Sequence, residues 1–330
     1  MKQFLQKKAK LVFLCILVLL TCTACANPRG RDGKTLADQI IASEETTIDA
    51  SKINYKDISD KKLKKEIKKN IKDGQYTIQP TTFKNSMSKG WFEGLIVWPI
   101  AQIINLISSK TDAGVGIILT TLLIQMLVFV FTRKSQMSTQ RMQEIQPEIQ
   151  KIQNKYKDKT DERSKMQMAQ EMQNIYQKYD IHPFGSMLIT FIQLPIMMGM
   201  YYATMRSVSV VSGSFMGISL AGTPLDGFKA FDIAYISIYV LMVIFYIVSM
   251  KLPQWLKKWQ DKKDNVKVKK YAQEETNPMA NSMNMSMYFM TAMICIMYIS
   301  WPMAMSFYWL VSSVIRVCQS LILHQVMNKK

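Results

Sequence analysis

MAMSFYWLVSSVIRVCQSLILHQV, Met303 to Val326, is the stretch whose reading decides the fold. It is long enough to cross a bilayer, which takes roughly 20 mostly apolar residues. It also carries Arg316 well inside the run. A charge at that depth costs about 2.5–3.5 kcal/mol on insertion scales, so an intramembrane arginine marks a functional site by default. Helical spacing groups further polar residues around it. Ser312 and Ser313 precede Arg316 by about one turn, Gln319 follows by about one turn, and Trp309 lies about two turns away on the same face. A helix facing only lipid would not collect its polar residues on one side. This one faces protein, water or a passing substrate.

The remainder of the chain has the same character. Of 330 residues 48% are hydrophobic, and they are gathered in long runs separated by basic segments. This is the composition of a membrane protein. The net charge of +18 reflects basic loops that stay in the cytoplasm. No module for sequence-specific nucleic-acid binding is legible. The five cysteines, Cys15, Cys22, Cys25, Cys295 and Cys318, have no metal-ligand spacing with the two histidines, His182 and His324. Neither a disulfide framework nor a metal or other cofactor is implied. No pairing of nucleophile and base at membrane depth suggests an enzyme.

Residues 1–25 read as a signal: a lysine-rich start, the apolar run Leu11–Leu20, then Thr21-Cys22-Thr23-Ala24-Cys25. A small residue before a cysteine resembles a lipobox, which would make Cys25 a lipidated N-terminus. Plain cleavage after Ala24 and an uncleaved anchor are the alternatives. Residues 26–90 form a polar extracytoplasmic segment. Within it Leu63, Ile67 and Ile71 make a narrow helical stripe ending at Gly74, lying on anionic lipid or solvated. Trp91 to Ser109 reads as an amphipathic helix on the outer surface. The first span is Gly114–Thr132, with Thr121 and Gln125 on one face. Residues 133–180 form a charged, Met-rich cytoplasmic hairpin turning at Asp158-Lys159-Thr160. Phe184 to Met205 is the second span, with Gln193 and Pro195. Ala230–Met250 is the third, and a basic cytoplasmic loop covers 251–281. Ser282–Ser300 is the fourth, Trp301-Pro302 turns, and the opening stretch is the fifth. The expected fold is therefore an all-α membrane protein. It is a five-helix transmembrane bundle with an outer amphipathic helix, N-terminus out and C-terminus in the cytoplasm.

This order of parts resembles the YidC/Oxa/Alb membrane protein insertases of Gram-positive bacteria over about residues 90–325. The local carriers are IILTTLLIQ before a basic boundary, MQEIQPEIQKIQNKY in the hairpin, FIQLPIMMGMYY in the second span and FYWLVSS in the fifth. The resemblance implies a bundle with a hydrophilic groove open to cytoplasm and lipid, whose positive charge attracts the acidic end of a nascent membrane-protein client. The ribosome, the Sec translocon and membrane lipids are the further partners it implies. The family's groove arginine belongs in the first span, where this chain has Gln125. Arg316 stands where the family usually has a neutral residue. At ~1.5 Å per residue, Gln125 and Arg316 lie roughly 17 and 20 Å below the outer ends of their spans, and Gln193 about 14 Å above the inner end of its own. Arg316 is thus expected to supply the groove charge, with Gln125, Gln193, Ser312 and Ser313 keeping the cavity wet and Thr121, Trp309 and Gln319 beside them. Snorkelling of Arg316 to the inner headgroups is the competing reading. A small-anion transporter or channel centred on Arg316 is the competing function. Against it, the chain shows no internal repeat and an odd number of spans. A lipid-anchored scaffold would need no polar residues at depth.

Overall fold

The computed structural model describes residues 28–157, 159, 161–181, 185–263, 289 and 291–328. Cys25 and most of residues 264–290 lie outside these. The described chain is mostly helical. Three of its helices are long and apolar enough to cross a membrane: Ala113–Met142, Ile233–Gln260 and Met303–Val326.

The polar N-terminal segment folds rather than lying on lipid. β1 (Thr35–Leu36) pairs in parallel with β3 (Ile53–Asn54), and β2 (Thr46–Asp49) pairs antiparallel with β4 (Gln75–Ile78). Between them α1 (Lys61–Asn70) starts at Asp60, whose carboxylate accepts from the backbone N–H groups of Lys62 and Leu63. Its stripe is used for packing. Ile67 is buried in a small core with Ile48, Ile53, Ile58 and Ile78, and Leu63 packs against that core. Burying one such side chain is worth about 1.5–3 kcal/mol, which a headgroup contact does not match. Gly74 does not end the helix. Asp73 and Gly74 both have positive φ (49° and 76°) and close a two-residue turn between Lys72 and Gln75. Asp-Gly is the pair that such a turn prefers.

This subdomain is hydrogen-bonded to the bundle at Arg206 and Val208. After α2 (Phe83–Lys89) and a π-helical turn at Glu93–Val97, α3 (Trp98–Ser108) lays Val97, Ile100, Ala101 and Ile104 into the main core. Leu95 and Leu106 stay exposed on its other side, so the helix is amphipathic and short, as the sequence suggests. Its polar residues face the subdomain. Gln102 donates to the carbonyls of Ala42 and Thr81, and Asn105 donates to Ile41 O at 2.8 Å while accepting from Ser207 Oγ at 2.6 Å.

α4 (Ala113–Glu144) runs unbroken through the predicted first span and on into the predicted hairpin. It stops at Ile145, because Pro147 cannot continue the hydrogen-bond ladder. α5 (Gln146–Lys155) and α6 (Glu162–Lys178) complete the hairpin; of its predicted turn, Asp158 and Thr160 lie outside the described residues. α7 (Gly185–Arg206) contains Pro195. The segment that follows has α8 (Val208–Ser212), the β5–β6 pair (Ser214–Phe215, Ile218–Ser219) and α9 (Pro224–Ala230). α10 (Ile233–Lys263) extends the predicted third span well into the basic loop. Residues 291–298 are helical, and α11 (Met303–Asn328) ends the fold.

Small residues bring helices close. A Cβ on Gly116 of α4 would stand 2.9 Å from the carbonyl of Ile104, so α3 approaches α4 only because that Cβ is missing. The central core gathers Ile117, Met200, Tyr202, Met242, Tyr298, Met305, Phe307 and Tyr308 from facing helices.

Candidate functional site

α11 packs against α4, α7 and α10, so its polar face points inward. Gln125 on α4 is buried and donates to Ser312 Oγ at 3.2 Å. Gln193 on α7 donates to the Tyr308 hydroxyl at 3.3 Å. Tyr308 is fully buried, with Ser312 and Gln125 near its hydroxyl. One polar network therefore joins the first, second and fifth predicted spans at Tyr308 and Ser312.

Arg316 extends that network toward α10. Its Nη2 reaches Ser313 Oγ at 3.3 Å, and its guanidinium carbon lies 5.8 Å from the Tyr246 ring and 5.6 Å from the Trp309 ring. Trp309 stacks on Tyr298 at 4.9 Å and meets Tyr246 edge-on at 6.3 Å. Aromatic faces are an apolar-compatible way to hold a cation, worth about 2 kcal/mol when desolvated. Among the described residues no carboxylate is within ion-pair distance of Arg316. Its Nε and the Trp309 Nε1 are buried with no hydrogen-bond partner there. A cation kept by rings and one hydroxyl, with donors to spare, can take an incoming acidic group without first breaking an internal salt bridge.

The other predicted residues divide. Gln319 is buried, one turn beyond Arg316, but it is joined to none of these groups by a hydrogen bond in the structure. Thr121 is buried on α4 and spends its hydroxyl on its own helix, donating to Ile117 O at 2.7 Å. Tyr308, Tyr246 and Tyr298 are the members that sequence reasoning missed. Tyr308 was within reach, since it precedes Ser312 by one helical turn; the other two are on partner helices.

The family model described as "60Kd inner membrane protein" matches residues 105–330, and that span includes every residue just named. The chain belongs to the YidC/Oxa/Alb insertase family. Its relatives include membrane protein insertase YidC 1 of Streptococcus pyogenes serotype M6, 30% identical over 72% of this chain and 75% of that one. Membrane protein insertase MisCA of Bacillus subtilis is 27% identical over 72% of this chain and 80% of its own length. Membrane protein insertase YidC of Enterococcus faecalis is 30% identical over 72% and 76%. Membership in the insertase family sets aside the small-anion transporter reading. It also accounts for three long apolar helices in one strongly basic chain.

Proposed function

We propose that this insertase works as a five-span bundle whose groove charge is Arg316 rather than a residue at Gln125. The observation that carries the reading is the guanidinium itself: half-buried, held by Ser313, Tyr246 and Trp309, and without a carboxylate among the described residues. α7 and the helix containing residues 291–298 serve as the second and fourth spans, and Cys25 carries the lipid on the outer side. An acidic tail of a client is drawn from the cytoplasm toward Arg316 and leaves outward as the client's apolar segment enters lipid. Partitioning of that segment supplies the free energy, so no nucleotide is needed. Gln125, Gln193, Ser312 and Tyr308 keep the path polar, Thr121 and Gln319 flank it, and Trp309 holds the guanidinium in place. The hairpin receives clients, and the lysines of 251–281 contact the ribosome, with the Sec translocon a partner for larger clients.

The test is a reconstitution. Purified protein in liposomes receives a single-span client with a short acidic outer tail, and protease protection reports insertion. Arg316→Ala is expected to lose most insertion, and Arg316→Ala with Gln125→Arg to recover it. Insertion that ignores both changes refutes the groove-charge assignment while leaving family membership intact.

A further inference from the structure

A second basic site lies at the root of the hairpin. The end of α4, the start of α5, the end of α6 and the far end of α10 line an open cavity of about 450 Å³. Arg141, Lys178 and Lys257 bring three cations to it, against the carboxylates of Glu148 and Asp180. Glu148 is already engaged: it accepts the Tyr179 hydroxyl at 2.5 Å. Arg141 places one N–H at 3.5 Å from the Tyr179 carbonyl, out of the five N–H donors of a guanidinium.

The walls are fixed by packing. α6 ends with Asp180 at φ 50°, Asp180 N–H bonded to Gln177 O at 3.2 Å and Ile181 N–H to Tyr176 O at 2.8 Å. This is a Schellman closure, and it turns the chain so that Ile181 packs on Ile145 and Ile149. Lys178, Tyr179 and Asp180 are thereby set around the cavity, opposite Lys257.

Depth identifies what this cavity meets. Lys257 is about 36 Å along α10 from Ile233, and Arg141 about 42 Å along α4 from Ala113. The hydrocarbon layer is ~30 Å thick and the layer with headgroups ~40–45 Å, so both cations stand at headgroup level. Trp255 and Trp259, one turn apart on α10, are 50% and 60% exposed. Tryptophans of this kind seat a helix at the membrane interface. They lie on the outward face while Lys257 between them lines the cavity.

We propose that the cavity binds the phosphate of an anionic glycerophospholipid from the adjacent leaflet, and that this lipid ties the hairpin to α10. Three cations against two carboxylates leave one net positive charge in a headgroup-sized space, which matches the single charge of a phosphodiester anion. A free phosphate shares the chemistry, but Trp255 and Trp259 seat this end of α10 at the membrane surface, where the phosphate arrives on a lipid. The proposal does not depend on the role of Arg316.

The full-length protein in mild detergent is titrated with phosphatidylglycerol, phosphatidylcholine or inorganic phosphate, and bound lipid is counted by native mass spectrometry. The wild type is expected to retain one phosphatidylglycerol more than Lys178→Gln/Lys257→Gln, whose affinity falls roughly 30-fold at about one kcal/mol per basic residue. Lys165→Gln/Lys229→Gln, with the same loss of charge away from the cavity, should match the wild type. Lys178→Arg/Lys257→Arg should restore binding, which separates charge from folding. Equal retention by the two Gln variants overturns the proposal, as does equal retention of phosphatidylcholine. Displacement of the lipid by millimolar inorganic phosphate reassigns the cavity to free phosphate and overturns the lipid. Hydrogen exchange in residues 141–149 should slow with phosphatidylglycerol in the wild type alone; no slowing refutes the tie.

Discussion

Replacing Arg206 by Met should release the N-terminal subdomain from the bundle. Arg206 ends α7 and is 5% exposed. It is ion-paired with Glu93, itself nearly buried, and it donates to the Gln39 carbonyl at 2.8 Å and to Gln39 Oε1 at 2.6 Å. The main chain is joined at the same place, with Ile41 N–H on Arg206 O and Val208 N–H on Ile41 O. Removing one partner of a buried pair costs about 3–5 kcal/mol, because the other charge is left stranded. The bared Gln39 carbonyl adds on the order of 1 kcal/mol. Native-state trypsin cleavage in the lysine-rich α1 reads out this opening. Arg206→Met should raise cleavage at least a hundredfold, and Arg206→Met with Glu93→Leu should regain more than half of the loss in free energy, since apolar replacements of a whole buried pair are tolerated. A single variant cleaved at the wild-type rate refutes the reasoning, and so does a double variant no better than the single.

The same assay should detect Ile67→Ala, which empties the centre of the subdomain core at a cost of about 2–5 kcal/mol. Gly116→Val should separate α3 from α4 and cost about 1–3 kcal/mol, seen as a lower melting temperature in detergent. The hairpin should loosen in acid. The Ser164 backbone N–H holds Asp161 below the ordinary carboxylate range, and the Lys155 ammonium at 2.5 Å, with the Tyr156 hydroxyl, does the same for Glu171. Groups depressed in the folded state stabilise it above their unfolded pKa and stop doing so as pH falls through the folded one. Protection factors for hydrogen exchange in residues 152–172, taken relative to intrinsic exchange at each pH, should therefore be high at neutral pH and fall below the usual carboxylate range; pH-independent protection would contradict this.

Much of the bundle was legible because bilayer thickness imposes a length on apolar runs, and α4, α10 and α11 fall where that length is met. The site was legible on α11, where a charge and two serines share a face. It was less legible across helices. Tyr246 and Tyr298 read as ordinary interfacial or core aromatics until packing brings them to Arg316. The N-terminal subdomain escaped for a different reason. Its strands have two to four residues, too few to show alternation, and its core is completed by Val208 and Val211 from far along the chain. Asp73-Gly74 was a hairpin signal read instead as a helix stop.

α4 is a single rod from the edge of α3 to the root of the hairpin, and rods convert angles into distances. Its first turns are pinned where Gly116 meets α3. A tilt of about 5° about Gly116 moves Gln125 by roughly 1.2 Å and Glu144 by about 3.7 Å. The first displacement is enough to part Gln125 from Ser312, now 3.2 Å away. A load on the hairpin is thus geared down by a factor of about 3 and delivered to the polar contact between the first and last long helices, so a push at one end of the rod is felt as an unlatching near its middle.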